Sequence, residues 1–236
     1  MNQELLEILN SASIQPEVLL AHPTYTAKLI LVENIQGGES DGWSSGLLDE
    51  AEKFVAQKLE HSSLEEIPEI AIWREAYASF GVKPRVGRSS VEALVRRCGN
   101  GLPRINLITD IYNYISVKHL IPIGGENFEK YDGPPQLVIA TGDETFDTTE
   151  DGQAVIHHPE PGEVIWKDNA GVTCRRWNWR QCTRTRLGVE TSTALFILDG
   201  LGHNSPQITE TASQELVELI SSRWPEARFT SNSLSN

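Results

Sequence analysis

The sequence predicts an α+β protein, with mixed or antiparallel sheets flanked by helices, rather than a doubly wound α/β sheet. Three observations carry this. An apolar, β-branched run stands early, at residues 26–35. Segments with helical spacing then occupy residues 47–115, and strand-like runs separated by turn residues return from 136 to 202. Strand, then helices, then strands leaves no regular βαβ alternation to build a parallel sheet.

Each element has its own justification. QELLEIL, within the first 22 residues, is a short amphipathic piece. TAKLILVENI (26–35) has the character of a buried strand. GGESDGWSSG (37–46) reads as a loop from its Gly and Ser content. LLDEAEKFVAQKLE (47–60) repeats apolar residues at helical spacing, with acids early and Lys58 late, as the helix dipole favours. A second helix is expected over 67–81, with Pro68 at its start and Gly81 just past its end. A third spans 89–101, with Ser89 or Ser90 as cap, Glu92 in the first turn, and Arg96 and Arg97 in the last. In 102–125, Leu107, Ile111, Tyr114 and Ile115 fit one helical face, and Asn106, Asp110 and Asn113 share the neighbouring one. That polar row is either a wall that hydrogen-bonds a ligand or a set of capping and bracing groups.

After residue 125 the pattern turns to strands. Residues 136–146 read as a strand and turn, and 162–179 as a hairpin turning at Asp168-Asn169-Ala170-Gly171. Residues 193–202 are a further apolar strand and 207–224 a terminal amphipathic helix. Three units are expected: 1–64, an N-terminal strand and helix integrated with the rest; 65–222, the main domain; and 223–236, a disordered tail.

Composition narrows the function classes. With 33 acidic against 20 basic residues the formal charge is -13. Strong attraction to bulk nucleic acid, DNA included, is not expected. No apolar run approaches the roughly 18 residues needed to cross a bilayer, and no signal peptide is visible, so a cytoplasmic protein without a membrane partner is expected. Cys98, Cys174 and Cys182 form no CxxC pair. Reduced thiols are expected, with no structural zinc. No P-loop or GxGxxG occurs, so no cofactor is implied.

The basic residues are nevertheless grouped. Residues 83–118 hold seven Lys and Arg against two acids, and 167–186 hold six against one. CRRWNWRQCTRTR (174–186) packs five arginines and two tryptophans into thirteen residues. On a strand, Arg176, Asn178 and Arg180 would face one side, and Trp177, Trp179 and Gln181 the other. The group either grips one phosphate-bearing ligand or pairs internally with the abundant carboxylates. Cys182 among arginines is a candidate reactive thiol or a small packed side chain. Glu144 is a candidate carboxylate or a turn acid. His157 and His158 lack an evident third metal ligand.

PRINLITDIYNYISVKHLIPIGG, followed by GDETF, HPEPGEVIW, CRRWNWRQ and TSTALFILDGL, resembles the freestanding B3/B4 proteins, over roughly residues 65–220. These are solo relatives of the B3/B4 editing module in the β subunit of bacterial phenylalanyl-tRNA synthetase. The resemblance implies a module of two interlocked subdomains with a pocket at their junction. It also implies hydrolysis of a mischarged aminoacyl-tRNA in trans, with the aminoacyl-tRNA 3′ end as partner. It places Asn106, Asp110 and Asn113 in the pocket, and Arg176, Asn178, Trp179 and Gln181 near its mouth. Arg104 and Arg180 join the expected tRNA-binding set. The synthetase motif carries a histidine where this chain has Gly124, so the expected catalytic candidates are Asn106, Asp110 and Gly124, the last through backbone donors. A non-catalytic module that binds tRNA or an amino acid, and an interaction protein whose Arg/Trp stretch is purely structural, are the alternatives.

Overall fold

A computed structural model describes residues 2–236. Seven α-helices are present among them: α1 Gln3–Asn10, α2 Pro16–Ala21, α3 Gly42–Leu59, α4 Pro68–Ser79, α5 Ser90–Cys98, α6 Leu107–His119 and α7 Ser205–Arg223. The strands are β1 Ser13–Ile14, β2 Thr26–Glu33, β3 Ile123–Asn127, β4 Gln136–Ile139, β5 Phe146–Glu150, β6 Gln153–His157, β7 Val164–Lys167, β8 Val172–Arg175, β9 Arg180–Gln181, β10 Thr193–Gly200 and β11 Arg228–Leu234. They form an antiparallel sheet ordered β11-β2-β10-β3, a mixed sheet ordered β1-β4-β7-β8-β9, and the separate hairpin β5-β6. The fold is α+β.

The four-stranded sheet divides the interior. β2 and β10 are apolar on both faces because both faces are covered. Ile30, Val32, Phe196 and Leu198 point into a core shared with α3, α5, α6 and α7. Leu29, Leu31, Leu195 and Ile197, one residue out of phase, point into a second core with α4 and the five-stranded sheet. β2 lies inside the sheet, between β10 and β11, so the first 64 residues supply an interior strand.

Four local expectations need correction. The stretch 37–46 is not all loop, because α3 begins at Gly42. Asp41 caps it, accepting from the Trp43 and Ser44 N–H groups at 2.9 Å each, and Ser44 Oγ returns a bond to the Asp41 N–H. That capping box and the burial of Ser44 outweigh the low helix propensity of Gly and Ser. The tail is not disordered. β11 pairs with β2 over seven residues, and Phe229 packs against the helical core. Its Ser and Asn content hid a strand that completes the outer side of β2.

The Arg/Trp stretch does not continue as a strand. β8 ends at Arg175, and Arg176 and Trp177 both take left-handed backbone angles, φ 46 and 66. The expected alternation of sides is lost there. Trp177 instead becomes fully buried, edge-on to His22, Tyr25 and Trp73 at 4.8–5.3 Å. Finally, residues 146–157 form the hairpin β5-β6, which the sequence reading did not anticipate.

Candidate functional site

The β10–β3 register sets the floor of the main cavity. Gly124 lies opposite Ile197, and Glu126 opposite Leu195. Directly opposed residues share a face, so Gly124, Glu126, Ile197 and Asp199 all turn away from the helical core. Above them lies a cavity of about 470 Å³. α5 contributes Ala93, Leu94 and Arg97 to its walls, α6 contributes Thr109, Tyr112 and Asn113, and the chain between β8 and β9 contributes Trp177 to Gln181. Trp166 and Cys174 close it from the five-stranded sheet, while Pro103 and the half-exposed Ile105 sit at the rim. A glycine is required at 125, where an added Cβ would lie 2.7 Å from the Tyr112 ring. That contact seats α6 against β3.

The expected polar row on α6 separates. Asn113 lines the cavity, and its side-chain amide has no hydrogen-bond partner among the described residues. Asn106 precedes the helix as its N-cap. It accepts from the Thr109 N–H at 2.9 Å and donates to the Leu187 carbonyl at 3.4 Å, outside the cavity. Asp110 is fully buried behind the wall, accepting from Ser44 Oγ at 2.9 Å and the Ile105 N–H at 3.0 Å. It ties α6 to α3. The spacing leaves capping open for Asn106, and capping is what the structure shows; the pocket position comes from the family resemblance. Gly124 lines the cavity without presenting its amide. Gly125 turns its carbonyl to Gln181 Nε2, at 2.9 Å on the free edge of β3, so alternation directs Gly124 toward β10.

The expected binding arginines mostly satisfy each other's neighbours. Arg104 lies off the cavity, bonded to Glu52 at 2.7 Å and to Asp49. Arg175 makes a buried two-pronged pair with Glu163, at 3.0 and 2.7 Å. Arg176 stacks its guanidinium on Trp179 at 4.1 Å and donates to the Val86 carbonyl at 2.9 Å, also outside the cavity. Arg184 pairs with Asp168 at 2.8 Å. Internal pairing is thus the fate of most of the cluster. Arg180, exposed and lining the cavity, makes one 3.5 Å contact to the Thr149 carbonyl and no salt bridge among the described residues. Arg97, on the α5 side of the same cavity, is exposed and likewise forms no ion pair there. Two unpaired guanidinium groups therefore stand at the mouth.

Two carboxyl groups that the sequence reading passed over line the interior. Asp199 accepts from Tyr25 at 2.5 Å and from Asn178 at 3.2 Å, while Asn178 accepts from Tyr77 at 3.0 Å. Asn178, although at the wall, is thereby committed to holding the wall. Burial pushes the Asp199 carboxyl up to about 7, against the pull of its Tyr25 and Asn178 donors. Glu126, 1% exposed, accepts from Tyr131 at 2.6 Å, and burial likewise pushes it up to about 7. The available signal was an acid inside an apolar strand, as in TALFILDG.

The remaining candidates are structural. Glu144 closes its own turn, accepting from the Thr141 and Gly142 N–H groups at 3.1 Å. Burial pushes the Cys182 thiol up to about 11, so neighbouring arginines do not activate it. No helix among the described residues is long and apolar enough to cross a membrane.

Comparison with curated proteins found no match. Among solved structures, an N-terminal fragment of the phenylalanyl-tRNA synthetase beta-subunit from Pyrococcus horikoshii is similar over 94% of this chain, at 10% identity and a TM-score of 0.40. The aligned part spans about half, 51%, of that fragment. The family model of the B3/4 domain matches residues 72–222, a stretch that contains every residue lining the cavity. On that match, covering more than half of its length, the chain belongs to the B3/4 domain family.

Proposed function

We propose that this chain binds the aminoacylated 3′ end of a tRNA at the cavity and hydrolyses the aminoacyl ester there, acting in trans. The carrying observation is the pair of unpaired guanidinium groups, Arg97 and Arg180, at the mouth of a cavity of about 470 Å³. That volume lies within the range of small-molecule sites. It suits an amino-acid side chain, with the sugar and phosphate left outside. Pro103 and Ile105 at the rim offer an apolar surface for the terminal base. The net charge of -13 opposes a broad nucleic-acid footprint, so few phosphates are held.

The chemistry asks little of the protein. An aminoacyl ester is already activated, and its vicinal ribose hydroxyl can assist water. What remains is orientation and stabilisation of the developing oxyanion, which a guanidinium at the mouth can supply.

A second reading, binding without chemistry, is favoured by one observation. Asn106 and Asp110 have their polar groups satisfied within the protein, and the Gly124 amide faces β10. Deacylation of a panel of correctly and incorrectly charged tRNAs, including tyrosyl-tRNA of the phenylalanine type, decides between the two. Hydrolysis above buffer for at least one member supports the first. Filter binding without hydrolysis supports the second, and neither activity removes both. Two phosphate contacts predict a log–log salt slope of roughly -1.4 for binding. Arg97→Gln should reduce it by about half.

A further inference from the structure

We infer that Glu126 receives the free α-ammonium group of the bound aminoacyl end, so that the cavity admits aminoacyl esters with an unblocked amino nitrogen and turns away N-acylated ones. The inference rests on reading the cavity as a tRNA-end site and concerns what that site discriminates.

The charges of the cavity are sorted by depth. Its cations, Arg97 and Arg180, are exposed at the mouth, whereas its interior holds two buried acids, Glu126 and Asp199. A ligand that matches this order is anionic where it leaves the protein and cationic where it enters. An aminoacylated nucleotide has that polarity, with a phosphate outside and an ammonium inside.

Of the two acids, Glu126 is the one left wanting a cation. Each Asp199 oxygen already accepts a protein hydrogen bond, from Tyr25 and from Asn178. Glu126 Oε2 takes the Tyr131 hydroxyl, the Thr185 hydroxyl lies beside the carboxylate and the Arg184 charge reaches it from its own pair with Asp168, but no lysine or arginine forms a salt bridge to Glu126 among the described residues. Arg186 meets it only as a backbone bridge. A buried carboxylate without a cationic partner is costly, and a ligand ammonium removes that cost. The register sets the two acids four residues apart along the sheet, roughly 13 Å, so one ammonium reaches only one of them.

The surroundings of Glu126 supply the rest of an ammonium site. Gln181 commits its Nε2 to the Gly125 carbonyl, which leaves its Oε1 as an acceptor. Asn113 lines the same cavity with an unpartnered amide, one residue after the Tyr112 that packs on Gly125. Glu126 and Gln181 Oε1, with Asn113 Oδ1 on the α6 wall of the same cavity, are acceptors open to a group with three donors. Acylation of the nitrogen deletes its charge and two of those donors, and sets a carbonyl oxygen against the carboxylate. Formylated and peptidyl tRNAs would accordingly be spared.

Isothermal titration of the full chain near neutral pH tests this with three probes: alaninamide, valinamide and phenylalaninamide, each against its N-acetyl counterpart. At least one amide should bind, with its N-acetyl form at least about tenfold weaker, and Glu126→Gln should bring the amide down to the N-acetyl level. Equal affinity for both forms of the amides that bind, or no binding of any amide at millimolar concentration, overturns the inference. The wild-type comparison does not depend on how the variant folds. Neither arm uses tRNA or measures hydrolysis. A silent deacylation panel with the amide preference intact would therefore remove the hydrolase reading alone.

Discussion

The two interior acids make stability fall as pH rises, opposite to the usual behaviour of protein carboxylates. Glu126 moves from 4.5 unfolded to about 7 folded, and Asp199 from 3.8 to about 7. Between those values the folded chain binds the extra proton, so protonation favours folding. The contribution is complete below the unfolded pKa and is lost as pH climbs through 7. One group approaches ~1.4 kcal/mol per pH unit inside its window. From pH 5 to pH 8 each acid should therefore withdraw about 2 to 3 kcal/mol. The half-buried His22, whose pKa burial lowers, works the other way, favouring folding as pH rises toward its unfolded value of 6.5. Glu126→Gln isolates one acid against that background. Glutamine can still accept from Tyr131 but cannot titrate. Urea unfolding at pH 5, 6, 7 and 8 should show wild-type stability falling, and the variant losing about half of that decline. A wild-type profile that is flat or rising, or a variant with the wild-type slope, would refute the reasoning.

Three further outcomes are expected. Asp110→Ala should cost about 3 kcal/mol in denaturant titration, because Ser44 Oγ and the Ile105 N–H lose their buried acceptor; the folded fraction should bind ligand as before. Glu163→Gln strips the charge that pairs with buried Arg175, and should cost about 3 to 5 kcal/mol of stability by the same measurement. Gly125→Ala drives a methyl group into the Tyr112 ring and Leu187, so a loss of about 1 to 3 kcal/mol should accompany weakened probe binding.

What the chain discloses depends on how local its causes are. α5 was readable because its cap, its acid and its closing arginines are adjacent in sequence, and Ser89 does accept from the Glu92 N–H at 3.4 Å. β2 and β10 were readable as unbroken apolar runs. β11 was not, since what makes RFTSNSL a strand is the open side of β2, nearly two hundred residues earlier. At the site, Asn178, Trp179 and Gln181, expected at the mouth from the family resemblance, line the cavity, as does Arg180 from the arginine-rich stretch. Arg176, expected there with them, is held off the cavity by its stacking on Trp179 and its bond to the Val86 carbonyl. Glu126 and Asp199 matter through burial and register, which strand pairing creates and no short window contains.

The sheet beneath the cavity is one strand layer thick. Gly124 and Ile197 face the cavity, while Phe196 and Leu198, on either side of Ile197, pack against the helices. Any change of volume at Phe196 or Leu198 must lift or tilt the strand that carries Ile197, because the close-packed interior has little slack to absorb it. Ligand preference in this chain is thus adjustable from behind. Substitutions that never meet a ligand would reshape its seat, and an evolving interior would retune selectivity with every contacting residue left unaltered.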